Sequence, residues 1–190
     1  MKVIAVFGSP RSGGNSDILL NTIITGIEAN GIQVEKIVLR NLRFNPCISC
    51  EKCMQTGNCA VNDDMQKIYP IFIEATGILV ASPIYFMGVS AQLKAFIDRF
   101  QVFWSRKYIL HLPVRKDGNI SKGFFVATAA RKESESLFAG SIKTVKSFFH
   151  VIDTEYIGNM LCSELEEKGS VYEKQELLKQ AFDTGKALFV

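Results

Sequence analysis

Hydrophobic residues along the chain fall into short continuous runs, separated by longer segments of helical spacing. A continuous run of aliphatic and β-branched residues is typical of a strand buried on both faces of a parallel sheet. Such runs predict strands at Lys2–Gly8, Gly77–Ser82 and Gly123–Thr128. The alternating pattern of Ile32–Leu39 predicts a half-buried edge strand, and a fifth strand is predicted within Val151–Met160.

Between the strands, apolar residues recur at three- and four-residue intervals, as on the buried face of a helix. The first helix is predicted from Ser16 to the stop signal at Asn30-Gly31, and the second begins near Asp63-Asp64. Pro70 lies inside the second helix and predicts a kink or a later start. Three further helices are predicted at Val89–Phe103, Ser134–Phe149 and Val171–Leu188, and residues 106–119 are predicted to form an insertion loop.

Strands that alternate with helices predict right-handed crossovers and a doubly wound α/β fold. The 190 residues suit one domain, and five strands favour a flavodoxin-like three-layer sandwich with a five-stranded parallel sheet in the order 2-1-3-4-5. In such a sheet, ligands bind beyond the carboxyl ends of strands one and three. We therefore expect a single domain over residues 1–190, with its function in the loops that follow these strands.

The composition narrows the class of protein. Hydrophobic residues make up 47% and charged residues 22%, which is typical of a folded globular chain. The formal net charge of +3 is spread over scattered basic residues, so no nucleic-acid partner is expected. No apolar run reaches the roughly 20 residues of a membrane span, and the opening apolar stretch is too short for a signal peptide. We expect a cytoplasmic protein without a membrane partner, whose thiols stay reduced.

The segment Gly8–Ser16, GSPRSGGNS, joins the first strand to the first helix and predicts an anion site. Gly14 stands where a P-loop needs lysine, and Pro10 stands where the dinucleotide fingerprint needs glycine, so ATP and a Rossmann-type NAD site are disfavoured. A phosphate is favoured, although a Gly/Ser-rich turn with a helix cap gives a similar pattern. The side-chain donors at the positive end of the helix dipole are Ser9, Arg11, Ser12, Asn15 and Ser16.

Two further loops are predicted at the same edge of the sheet. The segment SPIYFMG, Ser82–Gly88, carries three large side chains on a connection that should lie at the surface, and a flat aromatic ligand or a subunit interface would explain them. Its predicted contact residues are Pro83, Ile84, Tyr85, Phe86, Met87 and Gly88. The loop Ala127–Glu133 permits close backbone approach at Thr128 and Ala129, or is simply a turn with a solvated charge run.

These segments together resemble a known family. The first strand, GSPRSGGNS, the DDM of Asp63–Met65 and the stretch SPIYFMGVSAQLKAFIDR of Ser82–Arg99 are similar to the NADPH-dependent FMN reductase-like flavoproteins of flavodoxin-like fold. The resemblance covers about residues 1–130. It implies that FMN binds with its phosphate on the first loop and its isoalloxazine ring beside the second, and that a neighbouring chain of a homodimer or homotetramer completes the flavin site.

Four of the five cysteines lie in a cysteine-rich loop at 46–60, with the spacing C-x2-C-x2-C-x5-C. They are Cys47, Cys50, Cys53 and Cys59. Thiolates bind iron–sulfur clusters, zinc and Cu(I), and three cysteines in one compact run are typical of ferredoxin loops rather than of structural zinc sites. The spacing, Pro46 and the following DDM resemble the iron–sulfur flavoproteins, a branch of the same family that carries a [4Fe–4S] cluster near FMN. A zinc site and a metal-free thiol loop remain as alternatives.

No catalytic side chain is predicted. His111 and His150 have no carboxylate at a catalytic spacing, and Cys162 is predicted to be a small buried hydrophobic residue. No Ser-His-Asp or Cys-His arrangement is visible in the sequence. The chemistry is therefore expected to belong to cofactors.

The leading hypothesis is an FMN-dependent redox enzyme that passes electrons between a [4Fe–4S] cluster and FMN, with ferredoxin or NAD(P)H as redox partner. The alternatives are an FMN-only NAD(P)H-dependent reductase of quinones, nitro or azo compounds, and a non-enzymatic electron carrier or zinc-stabilised interaction module.

Overall fold

A computed structural model describes residues 1–115, 118–132, 134 and 136–189. Parts of three predicted segments lie outside these described residues, namely positions 116–117 of the insertion loop, Glu133 of the third loop and Glu135 of the fourth predicted helix. No helix within the described ranges combines the length and the apolar character that crossing a membrane requires.

Five strands form one parallel sheet in the order β2-β1-β3-β4-β5, which confirms the predicted α/β fold class and strand order. The strands are β1 (Val3–Phe7), β2 (Val34–Val38), β3 (Gly77–Pro83), β4 (Ser121–Thr128) and β5 (Thr154–Cys162). The helices are α1 (Asn15–Glu28), α2 (Lys52–Thr56), α3 (Met65–Glu74), α4 (Ala91–Asp98), α5 (Gln101–Tyr108), α6 (Ala139–Val151) and α7 (Gln175–Ala187).

Side chains that alternate along the strands divide the core into two layers. In β1, Ile4 and Val6 pack with α3, α4, α5 and α6, whereas Ala5 and Phe7 pack with α1 and α7. The helices α1 and α7 approach so closely that a Cβ on Gly185 would lie 2.0 Å from the Ile23 carbonyl oxygen. All strands run parallel, so the loops after β1, β3, β4 and β5 meet at one edge of the sheet.

The predicted helix Val89–Phe103 is two helices in the structure, because the backbone turns at Arg99 and Phe100. The Phe103 amide donates to Phe100, and the Arg99 carbonyl instead accepts from the Tyr69 hydroxyl at 3.1 Å. This break leaves Arg99 at the end of α4, facing the cysteine loop. The second part, α5, continues to Tyr108 and so occupies the start of the predicted insertion loop.

Other boundaries also differ from the prediction. The second predicted helix does not start late, since α3 begins at Met65, with Pro70 inside it and the Met65 amide donating to the Asp63 carboxylate at 3.1 Å. The helix α6 begins at Ala139 rather than Ser134, because turns that bury Leu137 and Phe138 precede it. The short helix α2 inside the cysteine loop was not predicted, β5 is shifted towards the C-terminus, and a 3₁₀ turn at Ser170–Glu173 precedes α7.

Candidate functional site

The loop between β1 and α1 is fixed by its own hydrogen bonds. The Ser9 hydroxyl accepts from the Arg11 amide at 3.1 Å and donates to the Arg11 carbonyl at 3.0 Å, and Gly14 precedes the first turn of α1. Arg11 and Ser12 are exposed, whereas Ser9 and Ser16 are buried. The positive end of the α1 dipole faces the edge of the sheet at this loop, as an anion site requires.

The Asn15 side chain is hydrogen-bonded to the segment after β5. It is buried, and its Nδ2 donates to the carbonyl of Glu167 at 2.8 Å and to that of Leu165 at 3.2 Å. Its Oδ1 accepts from the amides of Gly169 and Val171 at 3.0 and 3.3 Å. The side-chain amide thus joins the start of α1 to the segment after β5, and Asn15 still lines the cleft described next.

Three predicted loops and the segment after β5 enclose one cleft of about 160 Å³. Its lining residues are Ser9, Arg11, Gly14, Asn15, Ser16, Pro83, Ile84, Tyr85, Thr128, Ala130, Leu165, Glu166 and Lys168. Ser12, Phe86, Met87, Gly88 and Ala129 were predicted as contact residues but do not line it. The cleft is smaller than the ~300–1,000 Å³ of typical ligand pockets. It has room for a phosphate group on a short chain, whereas a large aromatic ring joined to that chain would lie on the rim.

Sequence reasoning missed Leu165, Glu166 and Lys168, which follow β5. The available signal was topological, since β5 ends at the same edge of the sheet as β1 and β3. Lys168 is exposed and is the only cation in this segment of the cleft wall. Its Cε lies 3.7 Å from the position that a Cβ on Gly13 would take. The ammonium group therefore reaches the loop Gly8–Ser16, which is predicted to bind phosphate and is called the phosphate loop below.

The aromatic rim is a tight turn with a strained backbone. The amides and carbonyls of Tyr85 and Gly88 pair at 3.0 and 2.9 Å, and the two residues between them have positive φ, +49° for Phe86 and +64° for Met87. Phe86 is fully exposed, and Tyr85 and Met87 are partly exposed. Non-glycine residues adopt this conformation at a cost, and such strain concentrates at ligand sites.

Ser90 joins the phosphate loop to the turn Tyr85–Gly88, called the aromatic turn below. Its hydroxyl donates to the Gly8 carbonyl and accepts from the Leu93 amide at 3.2 Å, so it also caps α4. Its amide donates to the Ser82 hydroxyl at 2.9 Å. The turn is linked to the third loop as well, because the Ile84 amide donates to the Thr128 carbonyl at 2.8 Å.

An ion pair lies behind the phosphate loop. Asp17 is buried at the start of α1, and its Oδ2 accepts from the Gly13 amide at 3.2 Å and from Arg40 Nη1 at 2.9 Å. Arg40 also donates to the Ser9 carbonyl and the Ser12 hydroxyl at 3.4 and 3.5 Å. Burial raises the pKa of Asp17, and the charge of Arg40 and the Gly13 amide only partly offset that rise. Arg40 thus holds this loop from behind through its ion pair with Asp17 and its contacts with Ser9 and Ser12, which the sequence pattern did not reveal.

The four clustered cysteines line a second cavity, of about 400 Å³. It is enclosed by the cysteine loop and the ends of α4 and α5, and its lining includes Cys47, Cys50, Cys53, Cys59, Asp98, Arg99, Gln101 and Val102. The loop turns through positive φ at Ser49, Glu51 and Gly57, and Gly57 ends α2. In the part of the chain that the structure describes, no three His, Cys, Asp or Glu side chains converge on the position of a single metal ion.

The surroundings of Cys59 favour its thiolate form. Burial by itself would raise the pKa of Cys59, but hydrogen bonds from the Val61 amide and from the Arg99 and Tyr69 side chains outweigh it and lower the pKa. Arg99 Nη2 lies 3.4 Å from Cys59 Sγ. A thiolate is the form of cysteine that ligates metals, so this environment favours a ligand.

The cleft and the cysteine cavity share no lining residue, and α4 runs between them. Ser90, the cap of α4, is tied to the phosphate loop, whereas Asp98 at the other end lines the cysteine cavity. The helix has eight residues, which corresponds to a rise of about 12 Å. Both sites are therefore anchored to one short rigid element.

Comparison with known proteins relates the chain to flavin-dependent reductases. The sequence model of the NADPH-dependent FMN reductase family matches residues 1–132. An iron-sulfur flavoprotein of Methanocaldococcus jannaschii is 46% identical over 99 residues, which cover 52% of this chain and 51% of that protein. The chain spans about half the length of the curated relatives it matches.

Solved structures share the fold. An NAD(P)H:quinone oxidoreductase from Methanothermobacter marburgensis has a TM-score of 0.73 at 17% identity, covering 99% of this chain and 96% of that one. A flavodoxin from the domain Archaea has a TM-score of 0.55 at 16% identity and covers 98% of both chains. At these identities the likeness establishes the architecture alone.

Proposed function

The chain belongs to the NADPH-dependent FMN reductase family, and we propose that it is a flavin-dependent oxidoreductase that binds FMN in the cleft and a [4Fe–4S] cluster in the cysteine cavity. The observation that carries this proposal is the arrangement of the two sites. All four clustered cysteines line one cavity at the end of α4, and Ser90 at the other end of α4 is hydrogen-bonded to the phosphate loop. Similarity to iron-sulfur flavoproteins supports the same assignment.

The cleft fits the phosphate-bearing end of FMN in size and polarity. The α1 N-terminus, Arg11 and Lys168 provide positive potential for a phosphate. Arg40, paired with Asp17, holds the loop in place from behind. The exposed turn at Tyr85–Gly88 offers aromatic surface and main-chain groups at the rim, where the ring would rest. Flavin can take electrons singly or in pairs, which would connect a nicotinamide donor to a one-electron carrier.

The cysteine cavity fits a cluster in its donor set. Four thiols from one compact loop provide the soft ligands that iron–sulfur clusters use. Cys47, Cys50, Cys53 and Cys59 would hold the iron, and Arg99 supplies a donor to the Cys59 sulfur. NAD(P)H or a ferredoxin-like protein is proposed as the redox partner, in the cytoplasm.

The rim of the cleft also supports assembly of copies. Phe86 is fully exposed, although apolar residues of this size are usually covered, and the cleft encloses too little volume for a whole flavin. We propose a homodimer or homotetramer in which a neighbouring chain covers the ring. Size measurement with and without FMN tests this, and a monomer that binds FMN at full affinity would contradict it.

The experiment that tests the main proposal is anoxic purification followed by analysis of flavin, iron and acid-labile sulfide. We expect one FMN and about four iron and four sulfide atoms per chain. Cys53→Ser should lose iron and keep FMN, whereas Cys162→Ser, which alters the buried cysteine far from the loop, should keep both. FMN without iron in the wild type would refute the cluster, and no uptake of added FMN would refute the whole proposal.

A second candidate is an FMN-only reductase of quinones, nitro or azo compounds that takes hydride from NAD(P)H. The open rim at Tyr85, Phe86 and Met87 favours it, because a ring lying there would be accessible to a planar substrate. Anaerobic mixing with NADPH distinguishes the two. Rapid flavin bleaching and turnover that are unchanged in Cys53→Ser would favour the FMN-only enzyme, whereas flavin reduction without substrate turnover would favour an electron carrier.

A further inference from the structure

Arg99 is the largest fully buried side chain of the described residues, and its surroundings are unusual for a cation. It follows the last residue of α4, and its side chain is 1% exposed. A buried ion pair is often no more stabilising than apolar residues of the same size, so stability alone does not explain an arginine here. Its contacts show what it does.

The guanidinium connects the two ends of the cysteine loop. Nη1 donates to the Asn45 carbonyl at 2.8 Å, just before Cys47. Both terminal nitrogens donate to the carboxylate of Asp63, which follows Cys59, with Nη2 3.1 Å from Oδ1. One planar fork therefore fixes the start and the end of the loop with respect to α4.

The same side chain contacts a proposed ligand. Nη2 lies 3.4 Å from Cys59 Sγ, and Nε is buried without a hydrogen-bond partner in the described residues. Among the residues that the structure describes, Arg99 is the one cationic side chain that lines the cysteine cavity. Arg99 thus presents a hydrogen-bond donor and the positive end of its ion pair with Asp63 to a negatively charged occupant of the cavity.

From this geometry, and resting on the cluster assignment above, we propose that Arg99 is a positioning residue that closes the cysteine loop and makes bound iron easier to reduce. Adding one electron to iron held by four thiolates increases the negative charge of the site. A cation and a hydrogen bond at a ligand sulfur stabilise that added charge and so raise the reduction potential. The electron comes from the reduced flavin or an external one-electron donor.

The test compares potentials in the anoxic holoprotein. The double variant Arg99→Met/Asp63→Asn removes the guanidinium while conserving net charge and avoids leaving a carboxylate buried and unpaired. Its equilibrium constant for one-electron reduction should fall at least tenfold, a decrease of about 59 mV in potential. Arg99→Lys keeps the charge but not the fork and should shift in the same direction by less. The control Arg43→Met removes an exposed arginine near the same loop and should not shift the potential.

Two readouts separate this proposal from the assignment of function. FMN content should be unchanged in all variants, since the cleft lies at the other end of α4. A wild type without iron would refute the cluster and this inference together, whereas a cluster with an unchanged potential in both Arg99 variants would refute the inference alone.

In iron-free protein, trypsin should cut after Lys52 faster in the double variant, and equal rates would refute the closing role. If the double variant fails to fold, Arg99→Lys provides both measurements.

Discussion

The side-chain nitrogen of Asn15 lies 2.8 Å from the carbonyl oxygen of Glu167, although 152 positions separate the two residues in the chain. This contact brings the segment after β5 against the loop after β1. The segment lies outside residues 1–132 that the family model matches, yet it forms one wall of the cleft. The Asn15 amide holds this wall against the phosphate loop, while the Leu165 amide, which donates to the Ala129 carbonyl at 3.0 Å, holds it to the loop after β4.

Asn15→Ala should loosen that wall, which would then be held only from the side of the loop after β4. Loss of the side-chain amide removes the hydrogen bonds to the buried Leu165 carbonyl and Val171 amide and to the partly buried Gly169 amide, so the free energy of unfolding should fall by about 1–3 kcal/mol. FMN affinity should fall with it. Urea unfolding and flavin fluorescence titration measure the two effects. Asn119→Ala, at an exposed position, is the control, and an unchanged affinity in Asn15→Ala would show that the wall does not contribute to binding.

Lys168→Met should weaken the binding of FMN but not of riboflavin, because Lys168 reaches the loop assigned to the phosphate. The ammonium group is exposed, and such pairs contribute only ~0.2–1 kcal/mol, so we expect a loss of about two- to fivefold at low salt. The loss should shrink as salt screens the charge. Lys179→Met, at an exposed position of α7, is the matched control. Equal losses for FMN and riboflavin would exclude contact between Lys168 and the phosphate.

Ser90→Ala should loosen both loops at once. The substitution removes the cap of α4 and the hydrogen bond to the Gly8 carbonyl, and loss of a serine cap typically costs about 0.5–2 kcal/mol of stability. FMN affinity should fall because the phosphate loop and the aromatic turn lose their connection. Denaturant unfolding and FMN titration are the measurements, with Ser147→Ala on the exposed face of α6 as control. A loss of stability without any loss of affinity would limit Ser90 to a capping role.

The stability conferred by Asp17 should depend on pH. Its pKa in the folded protein is raised above the ordinary value of 3.8, chiefly by burial. The folded state therefore binds more protons than the unfolded state between these two pKa values, and the free energy of unfolding decreases as pH rises through that window. Asp17→Asn cannot ionise, so its stability relative to wild type should improve from below pH 3.8 to neutral pH. Urea unfolding across this range checks the sign, and the opposite trend would mean that Arg40 outweighs burial.

The sequence predicted the fold because the relevant signals are local. Apolar runs such as Val3–Phe7 and Gly77–Ser82 mark strands, and the number and alternation of elements favoured one sheet order, which the structure confirms. The first and second loops were also predicted to meet, because the carboxyl ends of parallel strands share one edge. The break in the predicted helix Val89–Phe103 was missed, since it depends on a hydrogen bond from Tyr69 to the Arg99 carbonyl.

By itself, the sequence determined the class of fold and the grouping of four cysteines, and it predicted an anion site at the first loop. Periodicity, glycine placement and spacing are properties of neighbouring residues, so they can be read along the chain. Only the tertiary structure decided that Asn15 binds the segment after β5, that Lys168 and Arg40 approach the phosphate loop, and that Arg99 connects both ends of the cysteine loop. These contacts join residues far apart in the chain, and their partners are fixed by how the layers pack rather than by any local pattern.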